Sequence, residues 1–246
     1  MQIVPIPPKS LFHVSCGHSK YQFALCHEAL KDPEYLQLYA DFAKRPGAFV
    51  ILDNGAFELG TSDIDINLVE MTKAIQPQEI VLPDRMFMAD ATVAMSRKFK
   101  ERHTSLCRDR SVAGVAHGRN HEEFLHCAKE LIEDVGVDVI MIPKDYEAWS
   151  GGRSVLVAML QCFKKPIHLL GMEQDCGAFM RYATMGYVRS MDTVKPFTRA
   201  MSMHDMFTER IDIGRPFDYF NRILSEEQYN VAIDNLNQWS EAARAR

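Results

Sequence analysis

Short apolar runs rich in β-branched residues recur along the sequence, and segments with a helical pattern separate them. This alternation indicates parallel βαβ units, in which a helix returns the chain to the same edge of the sheet after each strand. Eight such runs occur in 246 residues, at 1–6, 11–15, 48–53, 79–83, 112–116, 137–142, 166–170 and 186–191. Because about 250 residues is the usual size of one closed α/β barrel, we predict a single-domain (β/α)8 TIM-type barrel spanning 1–246.

The segments between the runs carry apolar residues at three- and four-residue spacing, as helices packed on a barrel do. The predicted helices are 20–44, 64–75, 89–102, 120–134, 153–163 and 173–184. A last amphipathic helix is predicted at about 225–243, with Ser225 as its N-cap and acidic residues in its first turn.

The composition excludes several classes of protein. Hydrophobic residues make up 47% of the chain, yet no apolar run is long enough to cross a bilayer, and no basic segment precedes an apolar stretch at the N-terminus. We therefore expect a soluble, cytoplasmic protein with no membrane partner. The six cysteines are scattered without a CxxC pair, and His121 and His126 are five residues apart, a spacing that does not place two ligands on one helix face. We expect no metal site and no cofactor.

The residues that directly follow the runs are unusually polar. They include Asp53-Asn54, Asp84, His117-Gly118, Lys144, Gly171-Met172 and Asp192, with Cys16-Gly17-His18 after the second run. In a (β/α)8 barrel these positions share the rim that carries the active site, where like charges and desolvation separate the pKa values of neighbouring carboxyl groups. One aspartate would then serve as an acid and another as a nucleophile. For each aspartate alone, capping of the following helix is an equally good interpretation.

Five of these strand ends together resemble the tRNA-guanine transglycosylase superfamily, enzymes that exchange guanine in nucleic acid for a 7-deazaguanine. The resemblance is carried by LDNGAF (52–57), VLPD (81–84), GVAHG (114–118), HLLGM (168–172) and RSMD (189–192), in the order that the family shows. It implies that Asp192 is the nucleophile and Asp53 its acid/base partner. It further implies a base pocket made of Asn54, Phe57, Asp84, His117, Gly118, Gly171 and Met172, with Phe57 stacking on the base.

The departures from the family pattern are specific. His117 replaces a glutamine, the stretch IMIPK (140–144) keeps none of the family's glycine-rich loop, and the CxCxxC zinc subdomain of the tRNA-acting members is missing. A compact, zinc-free chain is most similar to the phage and bacterial enzymes that place 7-deazaguanines in DNA. The expected partners are therefore DNA rather than tRNA and a free base such as 7-cyano-7-deazaguanine, met in the host cytoplasm if a phage encodes the protein.

Charge bears on how such a substrate would be held. The net charge of −5 argues against a protein that coats nucleic acid by charge alone, but a basic concentration lies within 97–110. Lys144, Lys195 and Arg199 are the predicted phosphate contacts at the rim. Three alternatives remain: the same exchange on tRNA, an inactive nucleic-acid-binding partner subunit, and an unrelated barrel enzyme acting on a phosphorylated metabolite.

Overall fold

A computed structural model describes residues 1–59, 65–172, 178–207 and 213–244. Its centre is one sheet of eight parallel strands in the order β1-β8-β7-β6-β5-β4-β3-β2, curled into a nearly closed barrel with helices outside it. The predicted (β/α)8 barrel is confirmed. The strands are β1 (Gln2–Pro5), β2 (Tyr21–Leu25), β3 (Phe49–Asp53), β4 (Glu79–Val81), β5 (Ser111–Val115), β6 (Val139–Ile142), β7 (Ile167–Leu169) and β8 (Val188–Thr193).

Helices cover the outside of the barrel. They are α1 (Phe12–His18), α2 (Cys26–Lys31), α3 (Pro33–Ala43), α4 (Ala56–Leu59), α5 (Asp65–Ile75), α6 (Ala89–Arg102), α7 (Thr104–Arg108), α8 (His121–Glu130), α9 (Gly152–Leu160), α10 (Ala178–Ala183), α11 (Lys195–Met201) and α12 (Glu226–Arg244). A π-helical turn, Leu131–Val135, extends α8, and 3-10 turns occupy Lys9–Leu11, Lys144–Ala148, Gln161–Phe163 and Tyr219–Asn221. The first residues of the predicted helix 173–184 lie outside the described part of the chain.

The last helix begins as its sequence indicates. Ser225 Oγ accepts a hydrogen bond from Gln228 N at 3.2 Å, and Gln228 Oε1 accepts one from Ser225 N at 3.1 Å. This reciprocal pair is a capping box, which satisfies backbone donors that a helix start otherwise leaves open. The buried side chains of Ala232, Leu236 and Trp239 form one face of α12, which packs on α11 and α1. None of the helices in the described ranges is both long and apolar enough to span a membrane.

The prediction of a second strand at 11–15 is wrong. The run 11–15 is not a strand; it enters the helix α1, and the second strand, β2, lies inside the segment predicted as helix 20–44. Phe12 and Ser15, three residues apart, are both buried, so this face follows the helical period rather than the strand period. Phe12 packs edge-on against Tyr39 of α3, with ring centroids 4.7 Å apart. Consequently the Cys16-Gly17-His18 triplet lies on a helix and not at the end of a strand.

The barrel has one seam, between β1 and β2. These strands lie side by side, but among the described residues no backbone ladder joins them. Lys20 O accepts from Phe49 N, so the even-numbered residues of β2 turn their backbone groups to β3, and Phe23 and Leu25 turn theirs toward β1. Pro5, which has no N–H to donate, sits in β1 on the edge that faces the seam.

Side-chain hydroxyls take the place of the missing ladder. Tyr39 Oη donates to Phe23 O at 2.8 Å, Leu25 N donates to Tyr35 Oη at 3.0 Å, and Ser19 Oγ donates to Ile3 O at 2.7 Å. Both tyrosines are buried, and burial raises the pKa of each phenol. These three backbone groups along the seam, Phe23 O, Leu25 N and Ile3 O, are therefore satisfied by side chains instead of by a neighbouring strand.

Candidate active site

The carboxyl ends of four strands bring predicted site residues to one rim. Asp53 ends β3, Asp84 follows β4, His117 follows β5 and Asp192 lies near the end of β8; all four are buried. The charges of Asp84 and Asp192 both raise the pKa of Asp53, so the three carboxyl groups, distant in sequence, are electrostatic neighbours. The common rim on which the predicted site depends is therefore present.

Asp53 sits in a tight turn that follows its strand. Gly55 has a φ of +81°, a conformation that favours glycine, and its N–H donates to Asp53 Oδ2 at 2.8 Å. Burial raises the pKa of Asp53 well above its usual value, and the negative charge of Glu58 adds to the effect, followed by those of Asp84 and Asp192. Asp53 is therefore held in an environment that favours the protonated carboxyl.

Asn54, Asp84 and His117 form one hydrogen-bonded group. Asn54 Nδ2 donates to Asp84 Oδ1 at 2.6 Å, and His117 Nε2 lies 2.6 Å from Asp84 Oδ2. Phe87 N donates to His117 Nδ1 at 3.3 Å, so the ring proton is on Nε2 and points to Asp84. Each carboxylate oxygen of Asp84 thus receives a side-chain donor, which fixes the plane of the group.

Gly118 follows His117 at a point of very close packing. A Cβ on Gly118 would lie 2.3 Å from Phe124 N, so no larger residue fits without moving the backbone. Gly118 N donates to Tyr146 Oη at 2.9 Å, and Tyr146 Oη donates back to Gly118 O at 3.1 Å. The buried Tyr146 thereby holds the turn that presents His117.

Asp192 is fixed through one of its two oxygens. His168 Nε2 lies 2.9 Å from Asp192 Oδ1, and Gly171 N donates to the same oxygen at 3.0 Å. Gly171 has a φ of +68°, which turns its N–H toward the carboxylate. Met172, next in the chain, is buried.

Three further ionisable residues join the rim, and the sequence interpretation missed them. Arg215 Nη2 pairs with Glu58 Oε1 at 3.1 Å, and His27 Nδ1 lies 3.9 Å from Glu58 Oε2. Burial raises the pKa of Glu58, while Arg215 opposes that effect. Glu58 directly follows the LDNGAF motif, so its place beside the rim could have been predicted from the sequence. Arg215 is 157 residues from Glu58, and no local sequence pattern connects the two.

The predicted stacking and phosphate residues differ in accessibility. Phe57 is 69% exposed, on α4 next to the rim. Lys144 is half-buried and lies against Gly171, whereas Lys195 is buried at the start of α11. Arg199 is 1% exposed and its Nε donates to Asp205 O, so in this structure it holds the chain that follows α11.

Two residues of the basic segment 97–110, Arg97 and Lys100, contact neighbouring parts of the barrel wall. Arg97 pairs with Glu130 and Asp134 at 3.7 and 3.6 Å, and Lys100 Nζ donates to Val135 O and Gly136 O at 2.7 and 2.6 Å. These contacts hold α6 against α8 and the turn that follows it, which favours a structural role for the segment.

The rim as described offers carboxyl chemistry rather than a ligand set for a metal. Within the described ranges, no group of three His, Cys, Asp or Glu residues is arranged to hold an ion. The rim combines a carboxyl group whose pKa is raised by burial, a second carboxyl group that contacts His168 Nε2 and Gly171 N, and an Asp84–His117 pair. Comparison of the sequence with protein-family models found no matching family, and comparison with curated proteins found no relative.

Proposed function

We propose that this protein is a base-exchange transglycosylase that replaces guanine in DNA with a 7-deazaguanine through a covalent aspartyl-glycosyl intermediate. The observation that carries the proposal is the contrast between two carboxyl groups on one rim. Asp53 is in an environment that favours its protonated form, and Asp192 is oriented by two N–H donors. Exchange of a base at a glycosidic bond needs this division between an acid and a nucleophile.

The proposed reaction has two halves. In the first, an oxygen of Asp192 bonds to the anomeric carbon of the sugar while the bond from that carbon to the guanine nitrogen breaks. The leaving base keeps the electron pair, and the proton on Asp53 neutralises it. In the second half Asp53 takes a proton from the incoming 7-deazaguanine, whose nitrogen displaces Asp192 from the sugar. Atoms and charge balance without a cofactor.

The side chains on the same rim as these two carboxyl groups support recognition of a base. The target nucleotide has to be turned out of the duplex to reach the rim. Asp84 presents a carboxylate whose plane is fixed by Asn54 and His117, suited to accept from N–H groups on a base edge. The exposed ring of Phe57 and the 40% exposed ring of Phe87 offer stacking faces next to it. Lys144 is the proposed phosphate contact.

The test is incorporation of radiolabelled guanine. Purified protein is incubated with labelled guanine and either duplex DNA or unmodified tRNA, and acid-precipitable label is counted. We expect label in DNA. Label in tRNA alone would keep the exchange reaction but overturn the substrate, and no label in either polymer with guanine or a 7-deazaguanine would overturn the proposal.

Two variants assign the roles of the carboxyl groups in that assay. Asp192→Ala is expected to abolish both incorporation and any covalent band of protein on nucleic acid in a denaturing gel, because it removes the nucleophile. Asp53→Ala is expected to slow turnover by about 10²–10⁴-fold while a covalent band still forms slowly. A covalent band at the wild-type rate in Asp192→Ala would move the nucleophile elsewhere, with Asp84 as the next candidate.

A further inference from the structure

A file of polar side chains runs through the barrel interior and ends at Asp192. Arg189 Nη1 and Nη2 donate to Glu79 Oε2 and Oε1 at 2.6 and 2.8 Å, near the amino ends of the strands. Arg189 Nε donates to Ser190 Oγ at 3.1 Å, and Ser190 Oγ lies 2.7 Å from His168 Nδ1. The opposite ring nitrogen, His168 Nε2, contacts Asp192 Oδ1 at 2.9 Å.

The direction of this file is determined by its two ends. A carboxylate oxygen can only accept, so His168 carries a proton on Nε2 and donates it to Asp192 Oδ1, and Nδ1 is left to accept from the Ser190 hydroxyl. Ser190 Oγ in turn accepts from Arg189, because a guanidinium can only donate. The ring is further held by Phe23, which stacks on it with centroids 5.8 Å apart and an interplanar angle of 9°. From Arg189 Nε onward, each donor in the file therefore points toward the rim.

Ser190, His168 and Asp192 superficially match a Ser-His-Asp hydrolytic triad. In this barrel, however, the serine is the buried member and the aspartate lies at the rim. Ser190 and His168 are both 0% exposed, inside the barrel, and Ser190 Oγ already accepts from Arg189. The member of the group that lies at the rim is the carboxylate. The arrangement therefore serves Asp192 and not a serine nucleophile.

We infer that His168 is the residue that positions the nucleophile, and that Asp192 attacks through Oδ2. Both N–H donors, from His168 and Gly171, converge on Oδ1, which leaves Oδ2 as the oxygen that they do not hold. When Oδ2 bonds to the anomeric carbon and the base departs with its electron pair, Oδ1 becomes the carbonyl oxygen of the ester and keeps both hydrogen bonds. This inference rests on the proposed function for its reaction step, but its hydrogen-bond pattern can be tested without any substrate.

The first experiment reads the tautomer of His168 directly. Two-bond ¹⁵N–¹H correlation spectra of the ¹⁵N-histidine-labelled protein are recorded, with His168→Gln used to assign the signal. We expect the ring proton on Nε2, and a changed ¹⁵N shift of Nδ1 in Ser190→Ala, where the hydroxyl donor to Nδ1 is removed. A proton on Nδ1 in the wild-type protein, or an Nδ1 signal unchanged in Ser190→Ala, would overturn the inference whether or not the protein exchanges bases.

The second experiment separates a positioning role from a packing role. His168→Phe keeps an aromatic ring against Phe23 but has no donor, whereas His168→Gln places an amide N–H near the position of Nε2. We expect single-turnover formation of the covalent adduct to fall about 10²-fold in the phenylalanine variant, as when a reacting group is misplaced, and to recover in large part in the glutamine variant. Thermal unfolding of both variants serves as the control for folding.

Equal rates in the two folded variants would refute the positioning role of His168. Absence of label and adduct in the wild-type protein would refute the proposed reaction and leave the tautomer result to be judged by itself.

Discussion

Asp53 illustrates at the scale of one residue how a buried carboxyl group acts on stability. Burial and three neighbouring carboxyl groups raise its pKa, and the hydrogen bond from the N–H of Gly55 opposes them. In the unfolded chain an aspartate has a pKa of about 3.9. Above that pH the unfolded chain loses a proton that the folded protein keeps, so the free energy of unfolding falls as the pH rises toward the folded pKa.

Asp53→Asn is expected to remove this loss. The amide oxygen still accepts from Gly55 N, but the side chain no longer titrates, so the variant should be more stable than the wild type near neutral pH. The difference should shrink as the pH falls and vanish below pH ~3, where the aspartate is protonated in both the folded and the unfolded chain. A tenfold change in the acid dissociation constant corresponds to about 1.4 kcal/mol.

Thermal unfolding of both proteins across this pH range gives the comparison, because groups other than Asp53 are common to the two chains. A stability difference that stays constant from acid to neutral pH would show that Asp53 titrates normally in the folded protein.

Single residues also show where sequence interpretation succeeds and fails. Asp53, Asp84 and His117 could be predicted because each ends or directly follows an apolar run, and runs that form parallel strands end at one rim. His168 could not, since it lies within such a run and its partner Asp192 is 24 residues further along. Its polarity becomes informative only when β7 and β8 are paired, which the sequence pattern does not display.

At the scale of elements, the turn between β5 and α8 is the most tightly constrained part of the site. Asn120 caps α8 by accepting from Glu123 N at 2.9 Å, which brings the first turn of the helix back onto Gly118. The position of His117 therefore depends on a glycine whose missing side chain makes room for the backbone of the helix.

Gly118→Ala is expected to destabilise the fold by about 1–3 kcal/mol, the usual cost of overpacking, and to impair the proposed base exchange by displacing His117. For a chain of this length that corresponds to about 2–4 °C in Tm per kcal/mol. Gly17→Ala is the matched control, because a Cβ there meets nothing within 4 Å on α1. That change should leave the protein unchanged or more stable by about 0.5–1 kcal/mol. Similar melting temperatures for the two variants would contradict the role given to Gly118.

The contacts between elements also explain why the second predicted strand, 11–15, is wrong. LFHVS and YQFAL both combine β-branched or aromatic residues with polar ones, and periodicity over five residues distinguishes helix from strand poorly. The structure decides through contacts that are remote in sequence: β2 pairs with β3 over its whole length, and α1 packs on α3. The strands β3 to β8 overlap their predicted runs. Each of those runs is longer or more uniformly apolar than LFHVS and lies between segments with a helical pattern.

At the scale of the whole molecule, the barrel is a ring with seven backbone ladders and one junction of another kind. The ladders bond every second residue of each strand to its neighbour. The junction between β1 and β2 instead depends on the hydroxyls of Tyr35, Tyr39 and Ser19, which come from outside the sheet.

We expect the ring to open at this junction when the protein fluctuates. Rotation of two tyrosine side chains frees the β2 edge without breaking any ladder, so an opening there exposes less surface than complete unfolding does. In native-state hydrogen exchange with increasing denaturant, the amide of Leu25, which faces the seam, should exchange through a low-energy event with a small denaturant dependence. The amides of Gln22 and Ala24, which face β3, should exchange only on global unfolding. Equal exchange free energies and denaturant dependences for Leu25 and Ala24 would mean that the ring opens as one cooperative unit.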